Sequence, residues 1–214
     1  PFSYQGFHQD TGWMRSFCSY CIIPFVRGFP VSRDPSMIMD EIRHLAEKGT
    51  REVILTGIHL GLYGKGTDIT LGSLVKDLAS IPGIERIRFG SLEPFALGED
   101  LLRILSEVPQ FCPHLHLPLQ SGDDGILTVM KRGYTVSGYM KMLDLARSFL
   151  GDDLHVSTDI MVGFPGESGE AFGNTLAAMK GSGFGKVHVF PFSPREGTQA
   201  AASGERIDQG EVRD

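Results

Sequence analysis

Cysteine is scarce in this 214-residue chain. The three present, Cys18, Cys21 and Cys112, are too few and too unevenly spaced to staple a disulfide scaffold, which points to a reducing cytoplasm. No apolar run is long enough to cross a membrane, and no basic, apolar, small-residue leader stands at the start. Positive charge is in deficit: 20 Lys and Arg face 26 Asp and Glu, for a formal net charge of −6. That weighs against a stand-alone nucleic-acid binder, because phosphate contacts need clustered Lys and Arg, and leaves room only for a local cationic groove. No G-x-G-x-x-G follows the first clear strand, which argues against an open, doubly wound dinucleotide-binding sheet. Low-complexity linkers are missing too, so a single domain is expected. An initiating methionine is also missing, and Pro1 to Asp214 reads as a piece of a longer protein.

What is there is an alternation of two periods. Asp34 and Pro35 can cap and start a helix whose Ile38, Ile42, Leu45 and Ala46 share a face, with Gly49 ending it. Val53 to Leu55 then reads as a strand buried on both sides. Helical faces recur at Leu71 to Leu78, Leu101 to Leu105, Met142 to Phe149 and Phe172 to Met179. Strand signals follow them at Arg86 to Phe89, Leu115 to Leu119, Val156 to Val162 and Val187 to Phe190. With one more strand before the cysteines, in 1–17, the count is about six. This α/β pattern predicts a partial, open (β/α)6 TIM-like barrel, short of the eight strands of a closed one.

In parallel α/β folds ligands lie at the carboxyl ends of the strands, so polar residues just past each apolar run carry weight. Thr56-Gly57-Ile58-His59 is either a plain glycine-rich turn or a backbone that approaches a ligand closely. Glu93 in Ser91-Leu92-Glu93-Pro94 is a loop acid or an acceptor for a ribose or amine. His114, His116, Pro118 and Gln120 share one face. The i,i+2 histidines read as interior side chains rather than a metal pair, because no third ligand of suitable spacing follows. Gln120 and Ser121 sit at the strand end and are the better candidates, and Arg132 stands where it could meet a carboxylate. Asp159, inside the run Thr158 to Gly163, is expensive to bury unless it is paired or useful.

The stretch that orders these motifs is Cys18-Ser19-Tyr20-Cys21-Ile22-Ile23-Pro24, followed by Arg27-Gly28. It resembles the cluster-binding loop of radical S-adenosylmethionine (SAM) enzymes. With Thr56 to His59, Ser91 to Pro94, His116 to Gly122, Met130 to Thr135, Asp159 to Glu167 and His188 to Ser193, the chain resembles the radical SAM methylthiotransferases. It looks most like the branch acting on threonylcarbamoyladenosine at tRNA position 37.

The resemblance implies a 4Fe–4S cluster, SAM, a tRNA substrate, a reducing electron donor and no membrane. Cys18 and Cys21 would be the metal ligands, and Tyr20 would lie near the SAM adenine. Thr56 and Gly57 would face the SAM amino group, and Glu93, Gln120, Ser121, Arg132, Asp159 and Gly163 would line the cofactor and substrate cavity. Among them Glu93, Arg132 and Asp159 are the catalytic candidates. Such enzymes carry a first cysteine four places before Cys18, where this chain has Met14. Gln9-Asp10 there runs into Thr11-Gly12-Trp13-Met14, so 1–17 is a disturbed segment, with His8 or Asp10 as alternative ligands. Cys112 is roughly 25 Å from Gln120 at ~3.3 Å per strand residue and cannot substitute. A second-cluster domain before 1–214 and an RNA-binding domain after it are expected elsewhere, so this stretch alone is not expected to methylthiolate anything. Other branches, acting on isopentenyladenosine tRNA or a ribosomal-protein aspartate, and a degenerate non-catalytic barrel are the alternatives.

Overall fold

The computed structural model describes residues 18–27 and 30–203. The expected first strand, Met14, His8, Asp10 and Gly28 lie outside the described residues. Strand β1 (Glu52–Leu55) pairs in parallel with β2 (Arg86–Phe89), placing Val53 opposite Ile87. A second parallel ladder joins β3 (His114–His116), β4 (His155–Val162) and β5 (Lys186–Pro191), with Asp159 opposite His188. Single parallel bridges, Ile87 to Phe111 and Ser91 to His116, connect β2 with β3. Among the described residues five strands therefore stand side by side in chain order with helices between them, the α/β arrangement of a partial barrel.

Local chemistry starts the helices. Asp34 Oδ1 accepts the Ser36 N–H at 2.8 Å and Pro35 opens α2 (Pro35–Glu47), as expected. Thr70 and Ser73 exchange the two bonds of a capping box at the start of α3 (Leu71–Ala79). Thr135 caps α6 (Val136–Leu150), and Ser168 caps α7 (Gly169–Ser182). With α4 (Glu99–Glu107), α3 and α6 bury Leu74, Leu78, Leu102, Leu105 and Leu143 around Ile87 and Leu115 of the sheet. Each such side chain contributes roughly 1.5–3 kcal/mol of burial, so the core lies on this side and the strand ends are free to carry polar groups. No helix among the described residues is long and apolar enough to cross a membrane.

Two sequence expectations need correction. Val53 to Leu55 is not buried on both sides: Ile54 is 49% exposed and faces a cavity, because β1 has one strand neighbour among the described residues. The strand expected at Leu115 to Leu119 is shorter, ending at His116. Pro118 has no N–H to give the ladder, and Thr158 Oγ1 fills the gap by donating to Leu117 O and accepting from Leu119 N. Pairing resumes at a bridge from Gln120 to Ile160. Short helices that the periodicity does not announce are α1 (Ile23–Arg27), α5 (Asp124–Val129) and α8 (Gln199–Ala202).

Gly122 lets the loop after β3 lie directly on α7. A Cβ there would stand 2.6 Å from the Thr175 Cα and 3.0 Å from the Asn174 carbonyl oxygen. Gly122→Ala is expected to destabilise the chain by about 1–3 kcal/mol, read from a denaturant midpoint, since backbone rather than a flexible side chain must give way.

Candidate active site

The loops after β2 and β3, the turn after α5 and the cysteine segment meet at one rim, and Arg132 is the residue they share. Lys131 and Gly133, both at positive φ (59° and 73°), flank it and turn it inward at the end of α5. Arg132 is 8% exposed, and each of its three guanidinium nitrogens donates. Its Nη1 donates to Cys18 Sγ at 3.0 Å, and its Nη2 donates to Glu93 Oε2 at 2.8 Å and to Pro118 O at 3.1 Å. Its Nε donates to the Tyr134 hydroxyl at 2.8 Å, which in turn donates to Pro118 O or Leu119 O. Burial alone would push the guanidinium pKa down, but Tyr20, Cys18, Tyr134 and Glu93 outweigh it and hold it above its usual value. Burial also pushes the Tyr134 hydroxyl up to about 12, so it stays a neutral donor.

The cysteine segment is pinned from both sides. Ser19 N–H donates to Met130 O, Ala200 N–H donates to Ser19 O, and Cys21 N–H closes a turn onto Cys18 O at 3.0 Å. The Cys18 and Cys21 thiols are free and partly exposed. Burial raises the Cys21 pKa above the ordinary thiol value, partly offset by the Ile23 N–H, so its thiolate is the scarcer without a metal. Tyr20 stacks edge-on against Phe164, which packs the same way on Phe192. That aromatic series ties the segment to the loops after β4 and β5.

Gln120 joins the rim through its backbone. It holds a left-handed φ of 73° while its N–H donates to Asp159 O and its carbonyl accepts from Met161 N. A non-glycine residue locked in this region marks a position the surrounding structure over-determines. Asp159 lies just below, with Oδ2 at 3.2 Å from His116 Nε2. Thus Cys18, Tyr20, Glu93, Gln120 and Arg132 gather at the rim past the carboxyl ends of the strands, and Asp159 lies within β4 below it.

The other expected residues lie differently. Thr56 and Gly57 stand across α1, on a cavity of about 670 Å³ also lined by Ile23 and Pro24. Cys18 and Cys21 open instead on a neighbouring cavity of about 870 Å³ with Lys131 and Tyr134. The Ser121 side chain is fully buried and turned to α7, where it meets Thr175 Oγ1 at 3.3 Å. Gly163, at φ 70°, donates its N–H to Glu167 Oε2. Sequence reasoning missed Tyr134, although it follows Arg132 by two residues, and missed His188 as a partner of His116. The i,i+2 histidines do not act as a pair: His114 pairs with His155 and stays outside the group, whereas Asp159 of β4 and its register partner His188 of β5 come close to His116, which itself pairs with Ser157, two residues earlier on β4.

Residues 14–179 match the Radical SAM superfamily. The chain is 42% identical over 186 residues to the tRNA-2-methylthio-N(6)-dimethylallyladenosine synthase of Endomicrobium trichonymphae, covering 87% of this chain and 44% of that protein. It is 45% identical over 187 residues to the threonylcarbamoyladenosine tRNA methylthiotransferase MtaB of Chlamydia pneumoniae, covering 86% and 44%. The chain thus spans less than half the length of these curated relatives. Among solved structures, coproporphyrinogen III oxidase (HemN) of Escherichia coli superposes with a TM-score of 0.64 at 18% identity, covering 92% of this chain and 47% of that one. At that identity the likeness shows the fold alone.

Proposed function

The chain belongs to the radical SAM superfamily, and we propose that it is the cofactor-binding core of a tRNA methylthiotransferase whose target is threonylcarbamoyladenosine at position 37. The observation that carries the reading is the Arg132 hub, which ties Cys18 Sγ, Glu93 and the end of β3 into one rigid rim. A reducing electron donor and a cytoplasmic setting belong to the same reading, as does a tRNA bound largely by segments outside 1–214.

The fit of a 4Fe–4S cluster to this chain is partial. Cys18 and Cys21 suit it: both are unbridged, and a guanidinium N–H already points at Cys18 Sγ, as second contacts to a metal-bound thiolate do. The third thiolate is missing, since Cys112 sits at the amino end of β3, where its N–H pairs with Ile87 O. As written, the chain holds an incomplete cluster site. The protein's own groups do the rest. Arg132 and Glu93 fix the rim, Thr56 and Gly57 offer close backbone approach, Tyr20 borders the adenine side, Gln120, Asp159 and Gly163 shape the cavity, and Ser121 braces the loop after β3 against Thr175.

The threonylcarbamoyl target is supported by Leu55-Thr56-Gly57-Ile58-His59 and Ser91-Leu92-Glu93-Pro94, which look most like that branch. A second reading, isopentenyladenosine tRNA, is favoured by the relatives named for dimethylallyladenosine at comparable identity. Deleting the gene for this chain and measuring tRNA nucleosides by mass spectrometry separates them. Loss of the methylthio group from threonylcarbamoyladenosine alone is expected. Loss from isopentenyladenosine alone assigns the second reading, and an unchanged profile overturns both.

A further inference from the structure

Three strands each send one metal-binding side chain to the same point inside the barrel: His116 from β3, Asp159 from β4 and His188 from β5. We propose that His116, Asp159 and His188 form a second metal site, distinct from the cysteine rim, that takes a divalent transition ion of the zinc class. The inference does not depend on which reaction the rim performs.

The geometry is close to what such an ion needs. One ligand atom from each residue lies within 4.8 Å of the others, and His116 Nε2 and Asp159 Oδ2 are already 3.2 Å apart. Ligand atoms around a tetrahedral zinc stand about 3.3 Å apart, given bonds of about 2.0–2.1 Å. The remaining contraction falls to His188. Its ring meets His116 edge-on at 5.8 Å between centroids.

The second contact of His116 supports the same conclusion. Its Nδ1 lies 2.9 Å from Ser157 Oγ, an arrangement that orients the ring and leaves Nε2 facing Asp159. Ser157 carries a single hydroxyl proton and can rotate. Without an ion it donates to Nδ1, and Nε2–H donates to Asp159. With an ion it accepts Nδ1–H and the Nε2 lone pair binds the metal. The ring loses a proton at Nε2 and takes one up at Nδ1, so it stays neutral and no net proton is released. Two imidazoles and one carboxylate suit zinc, and also nickel or copper, far better than magnesium or calcium, which take oxygen donors. Three protein ligands leave a fourth position open toward the lumen.

The test is calorimetric titration of the metal-free 214-residue chain with Zn2+, in a Cys18→Ala/Cys21→Ala background so that the rim thiols cannot compete. One Zn2+ per chain with micromolar or tighter affinity is expected. Co2+ in the same background should show visible d–d bands without the near-ultraviolet thiolate charge transfer. His188→Ala should weaken zinc binding at least tenfold while the circular dichroism spectrum and melting temperature are kept, and Ser157→Ala should weaken it by about 10–100-fold. Should His188→Ala disturb folding, His188→Gln, which keeps the size and a neutral polar end, replaces it. Absence of zinc binding in the cysteine-free background, binding at millimolar zinc only, or unchanged affinity in folded His188 variants overturns the site.

Discussion

Replacing Met14 with cysteine is expected to raise the iron bound after anaerobic reconstitution to ~4 Fe per chain, from a small fraction of that in the unaltered chain. The reasoning is one of charge and donor strength. A 4Fe–4S cluster left open at one iron needs three anionic thiolates, and this chain offers Cys18 and Cys21 at the rim, with Cys112 far along the sheet. Methionine four places before Cys18 supplies a neutral, weakly donating thioether in place of a thiolate. Two ligands also leave two irons rather than one open to solvent and oxidants, so any cluster that forms is short-lived. Iron and sulfide analysis, with the broad absorption near 400 nm characteristic of such clusters, reads the outcome. Equal iron in Met14→Cys and the parent would mean that His8, Asp10 or an outside group completes the site, and the missing-thiolate argument would fall.

The second large effect is expected at Arg132. Arg132→Ala should lower stability by about 3 kcal/mol, at the low end of what removing one partner of a buried ion pair costs, because Glu93 keeps some contact with solvent. For a chain of this size that corresponds to a fall of about 6–12 °C in melting temperature. The loss is more than one ion pair. Four groups (Cys18 Sγ, Glu93, the Tyr134 hydroxyl and Pro118 O) lose a donor together. Arg132→Lys should fall between, since an ammonium keeps the charge but cannot span the fork. Glu93→Gln, which keeps an acceptor for Nη2, should change the melting temperature least. A melting curve for Arg132→Ala within about 2 °C of the parent would show that the hub is not a stabilising element.

Much of the fold could be read along the chain because its signals are local. Asp34-Pro35 announces the start of α2 by its own side chain and missing N–H, and the helical faces of α3, α4 and α6 repeat at the spacing that the core requires. The cysteine loop and the polar residues past each strand were equally visible, since carboxyl-end positions follow directly from the alternation of strand and helix. Less visible were α1, α5 and α8, which are too short to show a period. The exposure of Ile54 was hidden too, because it depends on whether a neighbouring strand covers β1.

The rim shows the same division. Motif order and the family resemblance single out Cys18, Glu93, Arg132 and Asp159 as candidates, but neither says that one guanidinium holds the first two together. Residue order along the chain carries propensity, capping and family likeness, all of which act over a few neighbours. Tertiary packing carries the rest: pairing Asp159 with His188, bringing His116 within reach of both and turning Ser121 away toward Thr175 depend on segments up to 72 residues apart. No local rule reaches that far, because whether two distant side chains meet is set by the strands and helices between them.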